Sequence, residues 1–249
     1  MLSSCSDGNY RFLPGIAPYS SGVIANSGYQ VVHITLRRPI PYLKGFELID
    51  AHLRSEARPR AALCAIELRI PEPLTVHEFG SFNAAYCGLL AGWDILIEGQ
   101  NPIARTNVAP LVGAPAEASL YGFAYTMPGG SGTPTFVVSG AGETRGSSLD
   151  MAGLIRGGDT TPTAMREKAT HVVSVMSKRL RGLGVDWTDV TAINVYTAHA
   201  IDHFHADAIL EAVGAVAVHG VHWYLSRPPV IDLEFEMDVR GIGRDLSLP

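Results

Sequence analysis

The chain has 249 residues, 47% of them apolar and 17% charged, with 19 basic against 24 acidic side chains, a net charge of −5 and a mean hydropathy of +0.15. These values exclude a disordered coil, which needs low hydropathy and dense charge. The acidic balance, with no clustered basic face, excludes broad nucleic-acid binding. So few charges cannot cover the surface of a monomer of this size, and a homo-oligomer is expected.

The runs Arg54 to Arg60 and Lys178 to Arg181 read as solvated charge, the second as the exposed end of a helix. Cys5, Cys64 and Cys87 make an odd count with no CxxC spacing, which indicates neither a disulfide framework nor a zinc knuckle. With no leader pattern and no membrane-length apolar stretch, the expectation is a cytoplasmic protein with no membrane partner.

In chain order, Gly22 to Asn26 and Tyr29 to Leu36 read as a hairpin, followed by a helix through Tyr42, Phe46, Ile49 and Leu53 that stops before Pro59. Ala61 to Ile70 reads as a buried strand. Thr75 and Glu78 then form a capping box opening a second helix along Phe79, Phe82, Tyr86, Leu90 and Trp93. Strands are expected at about 103–109 and 118–126. The Pro/Gly segment 128–134 can hold neither helix nor paired strand, and it divides the chain into modules 1–127 and 135–249.

The second part repeats the order of the first. Thr135 to Ala141 reads as a strand, and a helix capped at Thr160-Thr161-Pro162 follows through Met165, Val172, Met176 and Leu180 to Gly182 and Gly184. Next come a strand at Val190 to Thr197, a helix at Ile201 to Val213, and strands at Val218 to Leu225 and Val230 to Val239. In the last, Ile231, Leu233, Phe235 and Met237 alternate with an acidic face. The repeat predicts an α+β fold of two tandem modules, each a mixed sheet with two helices on one face. The opposite faces must then be polar or packed against a neighbour.

Several segments resemble the RidA family, also called YjgF/YER057c/UK114: Ile16 to Gly22, Asn101 to Val108 around Arg105, Phe136 to Gly140, Ile155 to Asp159, Trp187 to Val190, Asn194 to Thr197, Asp202 to Phe204 and Leu233 to Glu236. The resemblance implies a chorismate-mutase-like fold, trimers with small-carboxylate clefts between subunits, and hydrolysis of enamines or imines to ketones and ammonia without cofactor or metal. It makes Arg105 the carboxylate anchor, Tyr19 a cleft residue and Glu234 the group that orients water; Asn107, on the Arg105 strand, is taken as a second substrate contact.

The chemistry agrees with these roles. A guanidinium forms a fixed bidentate pair with a carboxylate, and an imine needs a proton donor and a group to direct water. Each residue also has a plain alternative: Arg105 an interface ion pair, Tyr19 interface packing, and Glu234 an edge charge interchangeable with Glu236 on the same face.

Two departures stand out. The second module carries His219 in Val218-His219-Gly220-Val221-His222 where the arginine is expected, and the first module's last strand, Ser119 to Tyr125, has no glutamate. Either one site joins Arg105 to Glu234, with His219 as a third catalytic candidate, or deamination has been lost. His199 and His203, four apart, could share a metal, but partner-facing or solvent-facing imidazoles are preferred. The glycine pairs lack phosphate-loop spacing. Three functions therefore stay open: a deaminase of a 2-aminoacrylate-like or 2-aminomuconate-like carboxylate, a non-catalytic carboxylate-binding protein, and a hydrolase of a cyclic carboxylate such as chorismate.

Overall fold

The computed structural model describes residues 1–130, 132–146 and 151–249; Ser131, inside the expected linker, lies outside the described residues. Twelve strands and three principal helices form the fold. The strands are β1 (Ser3–Cys5), β2 (Tyr10–Leu13), β3 (Gly22–Ala25), β4 (Tyr29–Pro41), β5 (Leu63–Arg69), β6 (Ala104–Pro110), β7 (Ser119–Pro128), β8 (Phe136–Gly142), β9 (Ala192–Thr197), β10 (His222–Arg227), β11 (Glu236–Gly241) and β12 (Arg244–Leu248). The helices are α1 (Tyr42–Ser55), α2 (Val76–Gly92) and α3 (Pro162–Leu183). None of the described helices is long and apolar enough to cross a membrane.

The strands follow the order β1-β2-β3-β8-β11-β9-β10-β6-β5-β7-β4-β12. Within it lie two four-stranded units of one design, β4-β7-β5-β6 and β8-β11-β9-β10. In each, the inner pair β5–β6 or β9–β10 is parallel and the other pairs are antiparallel. The units meet where β6 and β10 pair antiparallel through Pro110 and Ser226. The chain thus carries the expected duplicated α+β module.

The capping signals of α2 and α3 act locally and are realised as read. Thr75 and Glu78 close a reciprocal capping box at the start of α2. Thr161 accepts from the Ala164 amide ahead of α3, whose Pro162 sits in the first turn, and Gly184 ends it at φ 82°. One apolar core gathers under α1 and α2 around Phe46, Ile49, Tyr86 and Phe123, and another under α3 around Val172, Met176, Phe204 and Phe235.

Pairing departs from local expectation at four places. β3 and β4 both exist but make no hairpin: β3 pairs with β2 and β8, and β4 with β7 and β12. The first strands therefore extend the second module's sheet, while the last strand extends the first module's. The helix expected at Ile201 to Val213 is a π-helical turn, His205–Leu210, running into one α-turn and a 3-10 segment, Gly214–His219. That segment absorbs the first residues of the expected strand, so β10 begins at His222.

The fourth departure is the closing strand. Residues 231–235 form a turn with Asp232 at φ 73°, and β11 starts only at Glu236. Buried Glu143 accepts the amides of Glu234 and Phe235 at 2.7 and 3.1 Å, which takes their backbone away from the sheet ladder. Of the expected acidic face, Asp232 is exposed and Glu234 half-buried, while the part carried by β11 is buried, with Glu236 5% and Asp238 4% exposed. Its cover is the other module: Thr106 of β6 donates to Asp238 at 2.7 Å, and Arg240 of β11 reaches Glu67 of β5 at 3.2 Å.

Candidate active site

A cavity of about 170 Å³ opens at this seam, lined by Tyr19, Arg105, Asn107, Gly140, Arg179 and Glu236, among others. Arg105 and Asn107 are brought there by strand alternation. They pair across β5–β6 with Ile66 and Leu68, whose side chains belong to the helix-side core, so both point toward α2. Asn83, Phe79, Phe82 and Tyr86 meet them from that helix.

Arg105 is 3% exposed. Its Nη2 donates to Asn83 Oδ1 at 2.7 Å, and its guanidinium carbon lies 4.8 Å from the ring centres of Tyr19 and Tyr86. Aromatic faces stabilise the cation without consuming its N–H groups. Nη1 has no hydrogen-bond partner among the described residues, and neither do both polar atoms of the Asn107 amide, also 3% exposed. Buried donors and acceptors left open cost roughly 1 to 3 kcal/mol each unless something else satisfies them. Here they converge on a cavity shaped to bring a polar ligand to them. Burial pulls the Arg105 pKa down, partly offset by Tyr86 and Tyr19.

Glu236 enters from the other module. Its carboxyl lies over Gly140, where a Cβ would sit 2.0 Å from Oε1, so only glycine leaves the carboxyl its place. Burial, reinforced by Asp238 and Glu143 and opposed by Arg105 and Arg179, pushes its pKa up to about 8. At neutral pH it is mainly the protonated acid. Tyr19, also on the cavity wall, has its hydroxyl pKa raised by burial.

Two expected residues stand elsewhere. Glu234 precedes β11 in the turn and hydrogen-bonds His199 Nε2 at 2.8 Å, outside the cavity lining. The carboxylate beside Arg105 is instead Glu236, because β11 starts two residues later than the alternation implies. His219 is exposed on the 3-10 segment and does not line the cavity. In β10, Trp223 and Tyr224 pair with Val195 and Tyr196, and in β7 Gly122 pairs with Glu67. Among the described residues, no His, Cys, Asp and Glu side chains form a group of three that could hold a metal.

Arg179 and Asn83 were not anticipated. Arg179 belongs to the run read as a solvated helix end, yet its Nη1 donates to the Ser139 and Gly140 carbonyls at 2.7 and 3.2 Å. It falls seven residues after Val172 and three after Met176, on the edge of the buried stripe of α3, and that spacing was the available signal. Asn83 likewise falls four after Phe79 and three before Tyr86.

Fold and site together define a two-module α+β protein with a preformed cationic cavity where the modules meet. Residues 2–246 match the family described as 2-aminomuconate deaminase CnbZ, and the chain belongs to that family. It is 37% identical over 246 residues to the 2-amino-5-chloromuconate deaminase of Comamonas testosteroni, covering 98% of this chain and 97% of that one. Among solved structures, a chorismatase aligns at 14% identity and TM-score 0.47, over 89% of this chain and 77% of its own. The YjgF gene product of E. coli aligns at 14% identity and TM-score 0.30, over 44% and 81%.

Proposed function

We propose that the protein is a hydrolytic deaminase of 2-aminomuconate-type enamines and that Arg105, Asn107, Tyr19 and Glu236 carry the reaction. The observation behind this reading is the convergence of unpartnered N–H groups of Arg105 and Asn107 on a cavity that also holds a neutral carboxylic acid. Arg105 and Asn107 receive a substrate carboxylate. Glu236 donates its proton to the enamine carbon, the new C–H bond forms as the nitrogen lone pair closes the C=N bond, and the iminium results. Glu236, now a carboxylate, takes a proton from water while the water oxygen bonds to the iminium carbon. Glu236 then passes that proton to nitrogen, the C–N bond breaks as the hydroxyl oxygen forms C=O, and the hydroxyl proton returns to Glu236, which restores the acid. One water is consumed, and a ketone and ammonia leave. Tyr19 contributes its hydroxyl as a hydrogen-bonding group for the water.

Ammonia release from 2-aminomuconate tests the assignment. Glu236→Gln lowers kcat by on the order of 10²- to 10⁴-fold with a small change in KM, while Glu234→Gln stays near wild type. Because the donor must be protonated, kcat/KM of the wild type falls as pH rises past about 8, and Glu236→Gln lacks that limb. A Glu236→Gln enzyme at full speed overturns the role of Glu236, and a wild type inert on the substrate overturns the function.

The same reading places the chain as a tandem branch of the RidA family, divided at 128–134, cytoplasmic, and assembled as a homo-oligomer, with a trimer the first expectation. Its support is the low charged fraction and the exposed Leu111, Val112, Val218, Trp223 and Leu225. Light scattering should then give a multiple of 26.6 kDa, and a monomer at micromolar concentration ends the oligomer proposal.

A further inference from the structure

Arg105 enters the cavity from β6 of the first module and Arg179 from α3 of the second. Each is held by neutral groups. Among the described residues, the side-chain hydrogen-bond acceptors of Arg105 and Arg179 are the Asn83 amide oxygen and the main-chain carbonyls of Ser139 and Gly140. Neither forms an ion pair with an acidic side chain there, whereas Arg240, which also reaches across the seam, is paired with Glu67 and Asp245. Two guanidinium groups thus face one cavity, and the acid that shares it, Glu236, forms a salt bridge with neither.

We propose that Arg179 is a second carboxylate anchor, so that the site selects dicarboxylates by gripping one carboxylate at Arg105 and the other at Arg179. This rests on the deaminase reading for the identity of the reacting chain, and on the two arginines alone for the charge of the ligand.

Electrostatics favours the assignment. Arg105 is buried and Arg179 half-buried; holding such charges without a paired anion is costly, a dianion supplies two partners, and a monoanion leaves one guanidinium without one. The Ser139 and Gly140 carbonyls orient Arg179 through Nη1, a fixed fork of the kind that bidentate recognition uses. Space is sufficient: a cavity of roughly 150 Å³ accommodates a six-carbon ring, and this one is about 170 Å³ and open at one side. Arg105, Arg179 and Glu236 line the same cavity, so a ligand spanning the two anchors shares it with the Glu236 carboxyl.

The test uses unreactive ligands, so that it does not depend on turnover. Binding of cis,cis-muconate, a six-carbon dicarboxylate, and of sorbate, a six-carbon diene with one carboxylate, is measured by calorimetry on wild type, Arg179→Met, Arg179→Lys and Arg105→Met. Wild type should prefer muconate. Arg179→Met should lose about 30- to 150-fold in muconate affinity and less than about 3-fold in sorbate affinity, and Arg105→Met should lose both ligands. Arg179→Lys, which keeps the charge without the fork, should fall between wild type and Arg179→Met for muconate, and it serves as the reference if Arg179→Met melts early.

Equal losses for the two ligands in both Arg179 variants would make Arg179 a structural residue and overturn the proposal. So would unchanged muconate binding, or a wild type that binds the two ligands alike. A protein that discriminates as expected yet releases no ammonia from 2-aminomuconate would retain the dicarboxylate site and lose the deaminase reading.

Discussion

Glu236 and Gly140 are a matched pair, because the carboxyl occupies the volume that any side chain at position 140 would claim. Gly140→Ala places a Cβ 2.0 Å from Oε1 and 3.3 Å from Thr106 Cγ2. The backbone there has no positive φ, so the strain falls on the end of the glutamate side chain, which swings away, and slightly on the Thr106 methyl. Displacing a reacting group by about an ångström costs on the order of 10²-fold in rate. The expected outcome is that loss in kcat with a thermal midpoint within a few degrees of wild type, measured side by side. Glu236 also has a stability signature. Its folded pKa of about 8 lies above the ordinary 4.5, so between those values the folded state holds a proton that the unfolded state has released. Stability therefore falls as pH rises through that window. Urea titrations should show wild type losing ground to Glu236→Gln from pH 5 to pH 8, by on the order of a few kcal/mol.

The element that positions the acid is the junction of β8, α3 and the turn before β11, and it is tied by one buried ion pair. Lys168 and Glu143 are both 0% exposed and 3.2 Å apart; the ammonium also donates to the Ile155 carbonyl at 2.9 Å, and Glu143 holds the amides of Glu234 and Phe235. Burial raises the Glu143 pKa, against its amide donors and Lys168. Removing the ammonium leaves a carboxyl stranded, which typically costs about 3 to 5 kcal/mol, whereas replacing both members costs less than the two single losses together. Lys168→Met should lower the free energy of unfolding by that amount, and Lys168→Met/Glu143→Gln should recover part of it. Additive losses in a double-mutant cycle would show that the two groups act independently. On the opposite helix, Thr75→Ala removes the capping box of α2 and should cost about 1 kcal/mol.

Across the whole molecule, the two modules are locked by a network at the far side of the seam that is buried at His33, Glu67 and Arg240 and exposed at Asp245. His33 of β4 lies 2.7 Å from Glu67 of β5 and 2.8 Å from Asp245 of β12, and Arg240 of β11 reaches both carboxylates. Burial opposes the charge on His33, but Glu67 and Asp245 outweigh it and hold the pKa above the ordinary 6.5. A raised folded pKa contributes stability that is complete below about 6.5 and is lost as pH rises through the folded value. The stability advantage of wild type over His33→Gln should therefore be larger at pH 5.5 than at pH 9, as read by urea titration at the two values. A gap that is constant with pH would mean that folding leaves the His33 pKa unshifted, and a gap smaller at pH 5.5 would mean that His33 is held neutral.

The division between sequence and tertiary structure follows the range of the forces. Capping at Thr75 and Thr161, the stripe of α3, and the existence of β3 to β11 depend on residues within a turn or two of each other, and the sequence alone determined them, whereas β1, β2 and β12 were not legible in it. That Arg105 and the acidic residues of the last expected strand lie in different modules follows from their positions in the sequence. Which of those acids joins Arg105 was decided in three dimensions. Glu234 and Glu236 are equivalent by alternation, and only Glu143, 91 and 93 residues earlier, draws the backbone at Glu234 out of the sheet and delays β11. Arg179 reads as a solvated helix end until the Ser139 and Gly140 carbonyls and the cavity are placed against it. The exchange of end strands, β3 onto β8 and β12 onto β4, is likewise invisible locally. Periodicity reports which face of an element is apolar, but the partner that covers that face is chosen by long-range packing.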